Sequence, residues 1–100
     1  MRLVILGGGE SGIGTAILGL KKGYDVFVSD NGVIAKKYKQ VLLSNKIAFE
    51  EDGHSEEKIF SADVVMKSPG ISDTVSLAVS LKEKGVRVIS EIEFASQFTD

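Results

Sequence analysis

The apolar and polar positions of this chain fall into short blocks whose period switches back and forth. Arg2–Leu6 is an apolar run of strand length, followed at once by glycines. Ile13, Ala16, Ile17 and Leu20 then recur at i, i+3, i+4 and i+7, the spacing of one helix stripe, which predicts a helix over 11–22. Lys21 and Lys22 suit its negative end, and Gly23 reads as its stop. A second strand is expected over 24–29. A second helix follows over 33–44, with Ile34, Tyr38, Val41 and Leu42 inward and Lys36, Lys37 and Lys39 on a solvated face. Residues 47–49 are a third strand candidate, Glu50, Glu51 and Asp52 an exposed acidic stretch, and His54 a loop residue. Ser55 is placed to cap a short helix ending at Phe60, with Glu56 and Glu57 in its first turn.

The second half repeats the scheme. Residues 62–67 form the fourth strand candidate, and Ser68-Pro69-Gly70-Ile71 follows it. Ser72-Asp73 then caps a helix with Val75, Ala78 and Val79 on one face and Leu77 and Leu81 beside it, which Gly85 ends. Residues 86–89 are a fifth strand. Ser90 and Glu93 have capping-box spacing for a last helix containing Phe94, Ala95 and Phe98. Strict strand–helix alternation without hairpins implies parallel strands joined by right-handed crossovers. The expected fold is a Rossmann-like, doubly wound, five-stranded parallel sheet of order 3-2-1-4-5 in a three-layer α/β/α sandwich. Ligands of such sheets bind beyond the carboxyl ends of the strands, where the strand order reverses.

Chemistry enters at that edge. Gly7-x-Gly9-x-x-Gly12 lies between the first strand and first helix, the context a dinucleotide-type fingerprint requires. Gly7 permits the tight exit from the strand, Gly9 leaves room for a phosphate against the backbone, and Gly12 lets the helix approach the sheet. The N–H groups of the first helical turn and the helix dipole then favour an anion. Asp30 ends the second strand, near the position where an acidic residue accepts hydrogen bonds from a ribose or base. By itself Asp30-Asn31-Gly32 also fits a helix cap or a plain turn; paired with the glycine turn, it reads as part of a ligand site. Pro69, the only proline, stiffens a loop that offers the Ser68 hydroxyl and loop N–H groups at the same edge. A plain strand-to-helix corner is the alternative there.

The bulk numbers narrow the class. A chain of 100 residues with a hydrophobic fraction of 43% supports one domain with a true core. The net charge of −2, with signs interspersed, provides no footprint for nucleic acid and no polybasic segment for a membrane surface. Without cysteine there is no disulfide, thiol nucleophile or thiolate metal site, and one histidine makes no metal cluster. No apolar run reaches the ~20 residues of a membrane span. The absence of a leader pattern leads to the expectation of a cytoplasmic protein.

Four stretches together resemble the N-terminal domain of the bacterial Mur ligases: Leu6-Gly-Gly-Gly-Glu-Ser-Gly12, Val28-Ser-Asp30, Val64-Val-Met-Lys-Ser-Pro-Gly-Ile71 and Val88-Ile-Ser-Glu-Ile-Glu-Phe94. The likeness runs through essentially the whole chain and is strongest for the D-glutamate-adding branch. Ser-Pro-Gly-Ile is its most specific part. The resemblance implies that the domain binds the uridine diphosphate part of UDP-N-acetylmuramoyl-L-alanine rather than NAD. Gly9, Glu10, Ser11 and Gly12, with Ser68, Pro69 and Gly70, would hold the diphosphate, and Asp30 and Asn31 would contact the uridine. Relatives often carry a basic or hydroxyl residue where Asn31-Gly32 stand, and Glu10 must point away from a diphosphate.

The family reaction forms an amide with ATP and Mg2+ through an acyl phosphate. It needs a G-x-x-x-x-G-K-[ST] phosphate loop, which this chain lacks. The resemblance therefore implies a single domain over 1–100, without cofactor or catalytic residues of its own, working with ATP-binding and C-terminal domains in cis. Two other readings use the glycine turn and Asp30: a regulatory NAD- or ADP-binding sensor module, and the truncated cofactor domain of a dehydrogenase. Neither explains the Ser68-Pro-Gly-Ile71 loop as well.

Overall fold

In the computed structural model, residues 1–67 and 75–97 are described, the side chains of 75–78 excepted. β1 (Arg2–Leu6), α1 (Glu10–Lys21), β2 (Asp25–Ser29), α2 (Lys36–Ser44), β3 (Ala48–Glu50), α3 (Glu56–Phe60), β4 (Val64–Lys67), α4 (Val75–Glu83), β5 (Arg87–Ser90) and α5 (Glu91–Ser96) follow one another in the alternation the sequence predicts. The strands form one sheet in the order β3-β2-β1-β4-β5, and every pairing is parallel. This is the expected doubly wound order. The break in sequence neighbours falls between β1 and β4.

The two sheet faces have separate cores because strand side chains alternate. Leu3, Ile5, Val26, Val28, Val64, Met66 and Ile89 form one face, covered by Ile13 and Ala16 of α1, Leu42 of α2 and Phe94 of α5. Val4, Leu6, Phe27 and Val65 form the other, covered by Ile59 of α3 and Leu81 of α4. β1 is fully buried from Leu3 to Leu6, as expected of the central strand of a sheet covered on both sides.

Register makes the carboxyl edge a single row. Glu50, Ser29, Leu6, Lys67 and Ser90 are successive partners across the five strands. Residues in one row of a parallel sheet share a face, so whatever protrudes from this row meets its neighbours.

Several expectations shift. The buried side of α1 is Gly12, Ile13, Thr15, Ala16 and Gly19, while Leu20 is 39% exposed. The apolar stripe of the sequence is thus rotated toward the two glycines. A Cβ at Gly19 would lie 2.6 Å from Leu3 Cδ2, so the missing side chain is what brings α1 down onto β1. α2 starts at Lys36 rather than at 33, because Gly32 belongs to the preceding turn and Ile34 is pinned, buried, with its N–H on Glu51. Val33 is exposed as a result. Val79 of α4 is also exposed, while Leu81 carries the packing. The capping box of α5 forms as read, Ser90 and Glu93 each accepting from the other's backbone N–H. Ile71, the Ser72-Asp73 cap and Phe98 lie outside the described residues, as do the side chains of Val75, Leu77 and Ala78. Among the described residues, no helix is long and apolar enough to cross a membrane.

Candidate functional site

The loop between β1 and α1 is shaped by what its glycines omit. Gly7 takes φ +114°, a conformation that L side chains rarely adopt, and its N–H donates to the Ser29 carbonyl at 2.8 Å. A Cβ on Gly12 would sit 1.8 Å from the Gly7 carbonyl oxygen, so the helix meets the turn backbone to backbone. Gly9 occupies the N-cap position of α1, is exposed, and among the described residues has nothing within 4 Å of where a Cβ would stand. Having no side chain, Gly9 cannot itself cap the first turn, whose N–H groups are the ones a helix cannot satisfy. That turn is therefore suited to an anion. Glu10 is exposed.

Asp30 joins this loop to the next. One carboxylate oxygen accepts the Gly8 N–H at 2.7 Å, and the other accepts the Gly32 N–H at 2.8 Å. The carboxylate thus buckles the glycine turn to the Asn31-Gly32 turn, and any ligand contact must use its remaining lone pairs. Asn31 is exposed on that turn. The fingerprint leaves Gly8 unspecified, yet Gly8 is the residue that Asp30 holds. Its absent Cβ would fall 2.8 Å from Ile34 Cγ1.

Behind Asp30 lies a polar cluster that the sequence reading missed. Ser29 is fully buried and its hydroxyl donates to Glu50 Oε2 at 2.7 Å. The Ser29 hydroxyl oxygen also lies 2.6 Å from His54 Nδ1. Having given its only proton to a carboxylate, the hydroxyl must accept from His54, which fixes the proton on Nδ1. His54 Nε2 is then buried, with no hydrogen-bond partner among the described residues. Glu50 also takes the Ser55 N–H at 2.7 Å, so Ser55 does not cap α3 through its side chain. The backbone closes the arrangement: Asp30 N–H donates to the Glu50 carbonyl, Gly53 N–H to Asp30 and Asp52 N–H to Gly32.

The expectation of a freely exposed acidic stretch is corrected here. Glu50 and Glu51 are half-buried and engaged, and Glu51 pairs with Lys39 at 2.6 Å instead of leaving that lysine to solvent. The sequence carried one usable signal: Glu50 and Ser29 both end strands, and adjacent strand ends in a parallel sheet lie side by side.

Burial alone would raise the Glu50 carboxyl, but hydrogen bonds from Ser55 and Ser29, with the charge of Lys58, outweigh it and hold the group below its ordinary value of 4.5. A lowered folded-state value stabilises the fold above the unfolded value, and this contribution is lost as pH falls through the folded one. Glu50→Gln is therefore expected to cost about 1 kcal/mol at pH 7, discounted for partial exposure. The gap from the parent protein should narrow as pH drops below 4.5. Urea unfolding of both proteins at neutral and acid pH measures this; a gap independent of pH removes the carboxylate from the account.

Ser11 is half-buried, and its hydroxyl donates to Glu91 Oε2 of α5 at 2.5 Å. The site residues expected on the first two loops thus lie on adjoining turns at one sheet edge, Asp30 binding to Gly8 between them. Ser68, Pro69 and Gly70 lie outside the described residues. Lys67, just before them, is the register partner of Leu6, which immediately precedes the glycine turn.

A family model described as the MurD N-terminal domain matches residues 2–77. The chain belongs to this family. The UDP-N-acetylmuramoylalanine–D-glutamate ligase of Christiangramia forsetii is 64% identical over 99 residues, covering 99% of this chain and 22% of the relative. The ligase of the same name from Bacteroides fragilis is 54% identical over 99 residues, with the same coverage of 99% and 22%. This MurD-type domain therefore spans about a fifth of the length of the curated relatives it matches. Its fold is also that of part of a UDP-N-acetylmuramate:L-alanyl-gamma-D-glutamyl-meso-diaminopimelate ligase from Neisseria meningitides. That chain has a TM-score of 0.80 and 20% identity, with 98% of this chain and 31% of that one covered.

Proposed function

We propose that this MurD-type domain binds the uridine diphosphate part of UDP-N-acetylmuramoyl-L-alanine, for a ligase that joins D-glutamate to that precursor in peptidoglycan synthesis. The observation that carries the reading is the first turn of α1, which has a glycine for its N-cap and is buckled through Gly8 and Asp30 to the exposed Asn31 turn. The N–H groups suit a diphosphate. An amide side chain beside a carboxylate suits the polar rim of a uracil or a ribose hydroxyl. The relatives' names supply the precursor and the acceptor amino acid. Residues 1–100 act as one substrate-binding domain. ATP, Mg2+ and the catalytic groups belong to further domains of the ligase.

Calorimetric titration of the chain with UDP, NAD and ADP tests this. UDP is expected to bind best, and Ser11→Ala to weaken it. Preference for NAD or ADP would turn the reading toward a sensor or dehydrogenase module. The chain alone is expected to release no phosphate from ATP when precursor and D-glutamate are supplied; turnover in a clean preparation would refute the division of labour.

A further inference from the structure

We propose that Glu91 is an internal stand-in for the ligand's anionic group. It holds the Ser11 hydroxyl and yields it to the diphosphate when that ligand binds. The inference rests on the proposed diphosphate site and adds to it a residue from the opposite end of the chain.

The Ser11–Glu91 bond joins α1 to α5 across 80 positions of sequence, at 2.5 Å. Ser11 has one hydroxyl proton, and at this geometry the carboxylate takes it. A phosphate oxygen arriving at the first turn of α1 needs the same proton, so the two acceptors compete. They also repel, since both are anions at one helix terminus in a partly desolvated place. Two structural facts favour exchange over a fixed architectural role for Glu91.

The first is that α5 does not need Glu91 as a cap. Its first turn is closed by the Ser90–Glu93 capping box, and Phe94, 1% exposed, anchors the helix to the core. The second is that the carboxylate has somewhere to go. Lys67, Ser90, Glu91 and Ile92 line a cavity of about 120 Å³ at the carboxyl ends of β4 and β5. Glu91 itself lines that space, and so does Lys67, whose ammonium can receive a carboxylate leaving Ser11. Glu91 would therefore swap a hydroxyl for an ammonium as the diphosphate takes the hydroxyl.

The test follows Glu91 itself and the affinity it controls. In the intact chain, the Glu91 side-chain carboxyl resonance should move on saturation with UDP. In ligand-free Ser11→Ala it should already lie toward the displaced position. Glu91→Gln and Glu91→Ala should bind both UDP and inorganic pyrophosphate about fivefold more tightly, the low end of coupling between linked contacts. An unmoved resonance at saturation, or unchanged or weaker affinity in both variants while the parent binds UDP well, overturns the proposal and leaves the diphosphate site standing. Failure of parent and variants alike to bind UDP and pyrophosphate removes both.

Discussion

Replacing Gly12 with alanine is expected to cost at least about 3 kcal/mol, the upper range for forcing an extra methyl into a packed site. The new Cβ would stand 1.8 Å from the Gly7 carbonyl oxygen and 3.3 Å from Ile5 Cγ2. The oxygen belongs to a backbone that cannot rotate aside, because Gly7 is tied by its own N–H to the Ser29 carbonyl. Relief would require α1 to lift from the sheet, giving up contacts of Ile13 and Ala16 with the core of that face. In a domain of this size, each kcal/mol lowers Tm by about 4–8 °C. A fall of at least 10 °C in a thermal melt is the expected result; a shift within a few degrees would mean that the close approach is not obligatory.

Gly9→Ala is the paired comparison. Its Cβ meets nothing within 4 Å among the described residues, so the fold should lose less than about 1 kcal/mol, the usual scale for an N-cap change. If the open space above Gly9 is where a diphosphate lies, the same methyl should weaken UDP binding while leaving the melt nearly unchanged. Two glycines three positions apart in one motif then separate into one that the fold needs and one that the ligand needs. A Gly9→Ala protein that binds UDP like its parent would deny the second role.

That separation indicates what the sequence could reveal. The alternation of periods, the parallel order and the edge carrying the site follow from local patterns, because each strand and helix must bury its own apolar residues whatever its partners. Ser90 and Glu93 were legible for the same reason: a capping box is contained within four residues. The helix face was less legible. Leu20 looks inward by spacing, but close packing through Gly12 and Gly19 rotates α1 and leaves Leu20 at the surface. The polar groups around the site were the least legible. Ser29, Glu50 and His54 meet through adjacent strands, and Ser11 meets Glu91 across nearly the full chain. No periodicity encodes such pairs; register does, and register is a property of the assembled sheet. The family resemblance located the loops but says nothing of these internal bonds.

Phe94→Ala is the second large effect, and it measures how much the fold depends on α5. Phe94 is 1% exposed and belongs to the core between the sheet and α1. Its ring lies 5.6 Å from that of Tyr24, tilted by 59°. Its Cζ would stand 3.7 Å from a Cβ at Gly19, so the phenyl ring fills part of the space that glycine leaves on α1. Truncation to alanine removes the ring and leaves a cavity between two elements that cannot close up without losing their own contacts. The cost should be about 3–5 kcal/mol, a large part of the 5–15 kcal/mol that holds a typical domain together. Ile92→Ala, on the same helix but 80% exposed, should change stability by no more than about 0.5 kcal/mol. Urea unfolding of the two variants provides the comparison. If Phe94→Ala cost no more than Ile92→Ala, α5 would be an appendage rather than part of the core, and the Ser11–Glu91 contact would lose the anchored helix on which it depends.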